Sequence, residues 1–442
     1  MKKKVKKTKI SKKENKLLNL FNKVWKDKVL VAVIILFVIE LFLRCYQIDI
    51  KNPFGYDQVD NAWAAKNIIV NHRYPLVGMV AKTNSGIYIG PAYYYLISVL
   101  YFVFNLNPVA SAVMAILTSI FTFWSIYFVF KKIFNQGIAL IGLIINTFAL
   151  PAIIFDRIQW PVDFIPGLSL LIFYFLYRVI QGKPKNIIYL ALSIGFFFNI
   201  HFTAIFAPIV VILSLPLFPR TKETLKYILI GIPLFFVWIV PNIIYTITSK
   251  TSSSNASYID TYYHGFHLRR MMQIIGDAFI QFDPYVFFDW IKKIKPFFPI
   301  LFLIVYLKRE TGRDKFKFLY LVFLWFMVPW IIFTVYSGEM SDYYFAFNRF
   351  IALMIIAYIL YSVFIQNLLT KIGISIFLVI FCVLNLINFL PYKDVGLKKR
   401  YEENVMPAVS ANRRIEFQVG VPESYLYYYK MRELKGVEDV YK

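Results

Sequence analysis

The chain has 442 residues, 59% of them hydrophobic and only 17% charged, a balance that excludes an ordinary soluble domain. Its formal net charge is +24, but the excess is placed in a way that argues against nucleic acid. Residues 1–28 hold twelve lysines against Glu14 and Asp27, without the interleaved aromatics of a base-stacking platform.

This basic tail reads as a cytoplasmic orientation signal and a contact for anionic lipid. The first apolar run, 29–47, is too long and lacks a small-residue cleavage site, so it is an anchor rather than a removed leader. Further runs follow at 91–106, 109–130, 137–154, 164–180, 186–200, 202–218, 226–248, 296–307, 318–336, 347–365 and 371–390. Most are long enough to cross a hydrocarbon core of about 30 Å. If 91–106 lies at the interface instead of spanning, the short basic loops all face one side. These carry Lys131/Lys132, Arg178/Lys183/Lys185, Arg220/Lys222/Lys226, Lys308/Arg309/Arg313/Lys315/Lys317 and Lys371. The positive-inside rule selects that arrangement, with Lys292, Lys293 and Lys295 dissenting at the end of a long outer loop.

The expected architecture is therefore an all-α polytopic bundle of about 11 transmembrane helices with a cytoplasmic N-terminus. A transmembrane domain at 29–390 would include outer loop one (48–108) and a long outer loop (249–295), followed by a short extracytoplasmic segment at 391–442. That last segment is too short for a core of its own. Cys45 and Cys382 fit no disulfide or metal pattern.

Within outer loop one, Val59, Ala62, Trp63, Ile69 and Val70 recur at helical spacing, with Lys66 able to snorkel beside them. That pattern predicts a helix along the membrane surface, for which Asp60 is a suitable N-cap. "GPAYYYLISVLYFVF" predicts a second, deeper one. Acids at the membrane boundary are candidates for function, and Asp57 has nothing nearby in sequence to neutralise it. Other outer-face candidates are Asp60 and Lys82, then Asp156 and Arg157, and then Glu339, Tyr343, Tyr344 and Arg349. His264, His267, Arg269 and Arg270 lie together in "YYHGFHLRRMM". Plainer readings exist for several: an Asp156–Arg157 helix-end ion pair, interfacial tyrosines, loop histidines rather than a metal site, and a His201 that merely sits at a helix–helix corner.

At these residues the chain resembles the C-type (GT-C) glycosyltransferases that use polyprenyl-phosphate sugars. The similar branch holds the protein O-mannosyltransferases and the bacterial aminoarabinose transferase of lipid A. "NPFGYDQVDNAWAAKNII" resembles the family's Tyr-Asp-Glu segment and its Ala-rich surface helix. "YPLVGMVAKTNSGIYIGPAYYYLISVLYFVFNLNPVA" resembles its Pro-Leu-x-Gly, Gly-Pro-x-Tyr-Tyr-Tyr-Leu and Pro-x-Ala signals, and "FDRIQWPVDFIP" its Arg-x-x-Trp-Asn-Pro segment. Two positions depart: Gln58 stands where the family has an acid, and Pro161 follows Trp160 directly.

The resemblance implies an inverting transfer of a sugar from polyprenyl phosphate to an extracytoplasmic protein, lipid or cell-envelope glycan. Asp57 would be the catalytic base, with Asp156 across the cleft orienting the acceptor or holding a basic partner. Lys82, Arg269, Arg270, Arg349, Tyr343 and Tyr344 would serve the donor phosphate, with Lys82 and the arginine pair leading. Tyr56, Gln58, Asp60, Arg157, Trp160, His264, His267 and Glu339 would contribute to substrate binding. Expected partners are the bilayer, a lipid-linked sugar and an unidentified acceptor, with no nucleic acid and no metal or other cofactor assigned. A lipid-linked-sugar flippase or transporter and a catalytically inactive relative remain the competing readings. An oligosaccharide-transferring enzyme is disfavoured, because its metal-binding acids and large external domain are missing.

Overall fold

The structure, a computed structural model, describes residues 27–80, 87–249, 261–263, 265–286, 292–312, 314–338, 340–392, 396–436 and 440–441. The all-helical expectation is borne out: among the described residues extended pairing is limited to three isolated bridges. Five helices are long and apolar enough to cross a membrane: Val109–Ile133, Pro161–Ile180, Asp314–Thr334, Asp342–Phe364 and Leu368–Phe389. Lys222–Val237 and Val240–Ser249 make a sixth if they act as one span bent by 48°. Shorter apolar helices cover Ala92–Val103, Gln136–Phe148, Asn186–Phe197 and Phe202–Leu217. The first apolar helix, α1 (Lys28–Cys45), carries Glu40 and Arg44 in its C-terminal half, and both are fully buried.

The core forms where α2 (Val109–Ile133), α3 (Gln136–Phe148), α4 (Ile165–Ile180) and α5 (Arg349–Phe364) pack together. Close approach is allowed by small residues: a Cβ on Gly142 of α3 would stand 2.7 Å from the Phe130 ring of α2. Trp325 stacks on Phe347 at 4.7 Å and donates to the Phe347 carbonyl at 3.2 Å. The last span, Leu368–Phe389, keeps Ile376, Val379, Val383 and Ile387 exposed, as a helix facing lipid does.

The predicted surface helix is present as α6 (Tyr56–Ile69), and Ala92–Val103 is present as α7. The apolar stripe of α6 is covered by protein: Val59, Ala62 and Ala65 are fully buried, and α6 packs against α7 and against α8 (Pro422–Lys435) of the C-terminal segment. Trp63 sits among Phe417, Tyr425 and Tyr428 at 5.1–5.3 Å. Lys66, expected to snorkel, lies 5.6 Å from the Tyr428 ring. The Tyr425 hydroxyl donates to Leu106 O at 2.9 Å, and Arg432 donates to the Asn105 side chain at 3.0 Å. The C-terminal segment thus borrows a core from outer loop one. Cys45 and Cys382 are free thiols.

Candidate active site at the outer loops

Helix α6 begins at Tyr56, with Gly55 as its N-cap. Asp60 is therefore not the cap that the sequence pattern predicted. Gly55 has no side chain to cap with; Gln58 in the first turn instead accepts from Gly55 N through Oε1 at 2.7 Å while its Nε2 donates to Gln159 O at 2.5 Å. The position where the family has an acid thus ties the first outer loop to the second, a task that needs one acceptor and one donor. Gln58 is buried, and its amide is occupied by these contacts. Asp60 instead accepts a short hydrogen bond from the Tyr94 hydroxyl of α7.

Asp57 occupies the first turn of α6 and is partly buried. Its carboxylate has no hydrogen-bond or ion-pair partner among the described residues, although Asn61 holds its backbone carbonyl at 2.6 Å. Burial, helped by the charge of Asp60, pushes its pKa up to about 6. A helix N-terminus favours a carboxylate, so here loss of hydration outweighs the dipole. Asp60 is pushed up too, chiefly by burial and against the pull of Tyr94.

The second outer turn contradicts the simple helix-end pair. Asp156 bonds Arg44 at 2.7 Å, and Arg44 also meets Glu40 at 2.9 Å and donates to Thr147 O at 2.7 Å. Arg157 points the other way, donating to Leu43 O at 2.8 Å and Arg44 O at 2.7 Å. It therefore closes the C-terminus of α1, where orphan carbonyls and the helix dipole favour a cation. Asp156 has the basic partner that was one of its two expected uses. Glu40 and Arg44 escape a reading of 29–47 as one apolar run, although their opposite charges four residues apart are a signal for a pair.

Beyond Trp160 lies a cavity of about 500 Å³. Leu150, Ile154, Phe155 and Ile158 give it an apolar side, and Trp160, Gln281, Asp283, Lys292, Asp342, Tyr343 and Arg349 a polar one of mixed charge. Arg349 is the first residue of α5 and is 4% exposed. Its Nε reaches the Tyr285 hydroxyl at 3.3 Å and its guanidinium lies 4.2 Å from the Phe155 ring. The terminal nitrogens have no partner among the described residues, and no carboxylate there comes within ion-pair distance. Asp163, buried with neither oxygen hydrogen-bonded, lies within its electrostatic range. Arg349 is thus a buried cation whose charge Asp163 offsets in part and whose terminal nitrogens are unpaired among the described residues, so that it can receive an anion from the cavity.

Tyr343 joins this cavity to Asp57. Its ring stands 5.0 Å from Trp160, 5.0 Å from Tyr344 and 5.6 Å from His201, and Asp57 is within its electrostatic range. Tyr56 is exposed and lies against Gly420. Arg270 is engaged with the carbonyls of Tyr336 at 3.2 Å and Gly338 at 3.1 Å. Arg269 and His267 are exposed. Lys82, His264 and Glu339 lie outside the described residues. No cluster of three metal-ligating side chains occurs among the described residues. Sequence reasoning missed Tyr94 and Gln159, whose roles depend on loops more than thirty residues apart.

Comparison with known proteins agrees with the resemblance read from the sequence. Residues 89–245 match the model of a family described as dolichyl-phosphate-mannose-protein mannosyltransferase. The fold is similar to that of ArnT from Cupriavidus metallidurans. Against its apo structure the TM-score is 0.53 at 10% identity, covering 77% of this chain and 61% of that one. Against the structure bound to undecaprenyl phosphate it is 0.54 at 11% identity, covering 89% and 74%. No curated protein sequence matches the chain.

Proposed function

We propose that this chain is an integral-membrane inverting glycosyltransferase that moves a sugar from a polyprenyl-phosphate donor to an extracytoplasmic acceptor. The observation that carries the proposal is the Asp57 carboxylate, unpartnered among the described residues and with its pKa pushed up to about 6 by burial, beside a tyrosine that also walls the arginine-bearing cavity. The family model over 89–245 and the fold shared with a protein that binds undecaprenyl phosphate support the same donor class.

The donor phosphate would sit on Arg349, with Tyr343 donating to it and the isoprenoid tail along Leu150, Ile154 and Phe155. An acceptor hydroxyl attacks the anomeric carbon and gives its proton to Asp57. The anomeric C–O bond breaks at once, its electron pair leaving with the lipid phosphate, whose growing charge Arg349 neutralises. One displacement inverts the anomeric centre, unlike the double displacement of paired-carboxylate retaining hydrolases. Asp156 holds Arg44 and so fixes the second outer turn against α1. Lys82 and Arg269 remain proposed as further cations for the phosphate. The basic tail and loops support a cytoplasmic N-terminus and a site on the outer face of a plasma membrane, with 29–390 as the proposed catalytic domain.

A lipid-linked-sugar flippase is favoured by one observation, the buried charges of α1. They are closed on one another and on Asp156, however, and do not line an open path. Binding of undecaprenyl phosphate to the purified chain, followed by its effect on thermal stability, tests the donor site. Arg349→Gln should weaken binding about 10- to 100-fold, the value of one or two charge-assisted hydrogen bonds. Equal binding by this variant would remove Arg349 from the phosphate site.

A further inference from the structure

Helices α9 (Asn186–Phe197) and α11 (Lys222–Val237) run side by side in the same direction. A Cβ on Gly231 would stand 3.0 Å from the Ile187 side chain, and one on Gly195 2.4 Å from the Trp238 ring. Between them in sequence, α10 (Phe206–Ser214) leans on Asp314–Thr334 instead. Within α11, Thr224 and Gly231 are the buried residues, so most of this helix lacks protein cover.

The three helices leave a groove of about 230 Å³ whose lining is wholly apolar, with Ile187, Ile194, Ile212, Leu215, Phe218 and Phe235 in its walls. All of its walls lie in the described stretch 87–249. On the open side Ile212, Leu215, Ile232 and Phe236 are exposed. Lipid tails are as apolar as leucine, so a hydrocarbon chain covers such a surface in a bilayer.

One end of the groove is charged. Because α9 and α11 are parallel, their N-termini lie at the same end, together with the turn after Phe218. Lys183, Lys185, Arg220, Lys222 and Lys226 gather there, all exposed and none with an ion-pair partner among the described residues. Glu223 is the single acid in 181–226, and Asp314 of the adjoining helix is taken up by Lys317 at 3.0 Å. Such a cluster at the bilayer boundary attracts the phosphate of an anionic lipid.

This is not the donor end. The opposite end of α9 leads to His201, whose ring stands 5.6 Å from Tyr343. A helix of 12 residues spans about 18 Å. A phosphate held at Arg349 and one held by Arg220 and Lys222 therefore belong to different molecules.

We propose that this groove is a second lipid site. The acyl chain of an anionic glycerophospholipid of the bilayer lies between α9, α10 and α11, with its phosphate on the cations at 183–185 and 220–222. In the orientation proposed above it lies in the cytoplasmic leaflet. The lipid supplies the cover that α11 lacks.

Native mass spectrometry of the purified full chain in detergent tests it, with dioleoyl phosphatidylglycerol, dioleoyl phosphatidylcholine and undecaprenyl phosphate as probes. Phosphatidylglycerol should bind about tenfold or more tightly than phosphatidylcholine of the same chains, and undecaprenyl phosphate should not displace it. Combining Lys183→Gln, Lys185→Gln, Arg220→Gln and Lys222→Gln should lower its affinity about tenfold or more. Ile212→Trp, which fills the open side of the groove and leaves those charges in place, should also lower it. Equal binding of the two phospholipids, wild-type affinity in either variant, or displacement by undecaprenyl phosphate would overturn the proposal.

Discussion

Arg44 and Asp156 meet at 2.7 Å although 112 residues separate them in sequence. The contact fixes the end of the first apolar helix to the second outer turn, and Arg157 adds the reverse link from that turn to the carbonyls of Leu43 and Arg44. Gln58 then ties the same turn to the start of α6. The first turn of α6, and Asp57 with it, is therefore held in place by a chain of buried polar contacts.

Breaking that chain should be costly. Arg44→Met leaves Glu40 and Asp156 buried without a cation, and loss of one partner of a buried pair costs about 3–5 kcal/mol. The expected result is a large fall in the thermal midpoint in detergent. Glu40→Gln, which leaves the Arg44–Asp156 pair intact, should fall less. Equal and small effects would mean that the network is solvated.

Installing the family's acid should harm this protein. Gln58→Glu keeps an acceptor for Gly55 N but loses the donor to Gln159 O and buries a charge beside that carbonyl. A loss of about 1–3 kcal/mol in stability is expected, together with reduced transfer. A gain in activity would show that the departure at 58 is a defect rather than an adapted contact.

The pH dependence follows from Asp57. As the base it must be ionised, so transfer should rise with pH through about 6, well above the ordinary carboxylate range near 4. Asp60→Asn removes a neighbouring negative charge that helps raise Asp57, and should move the acid limb to lower pH. The same shift has a stability sign: a carboxyl raised in the folded state stabilises when protonated, and that contribution disappears as pH rises through about 6. Asp57→Asn should therefore be at least as stable as wild type at pH 8. An acid limb unchanged by Asp60→Asn would separate that charge from the base.

The C-terminal segment should matter to the site. Gly420 has φ +77°, and a Cβ there would stand 2.1 Å from the Tyr56 ring, next to Asp57. Gly420→Ala combines backbone strain of about 1–3 kcal/mol with displacement of Tyr56. It should reduce stability and transfer, whereas Lys435→Ala on the exposed end of α8 should do neither. Wild-type transfer by Gly420→Ala would detach the segment from the active site.

Much of this was legible from local pattern. The apolar runs gave the helices, Val59, Ala62 and Trp63 at helical spacing announced α6, and Asp57 stood out as an acid without a local partner. The network was not legible, because Arg44, Asp156 and Gln159 acquire their meaning only from residues a hundred positions away. The start of α6 lies five residues before the one that Asp60, a good cap by type, suggests, because Gly55 caps without a side chain and its N–H is held by Gln58. Arg349 could be named from sequence, but its lack of an ion-pair partner among the described residues is a property of packing.

The most direct test of the central claim is sugar transfer by the purified protein from a panel of radiolabelled polyprenyl-phosphate sugars to native membrane extract, with wild type beside Asp57→Asn. Transfer by the wild type that falls at least a thousandfold in the variant, while both bind the lipid donor equally, is the predicted result. Undiminished transfer by Asp57→Asn, or donor binding without transfer by the wild type, would contradict the assignment of Asp57 as the base of a glycosyltransferase.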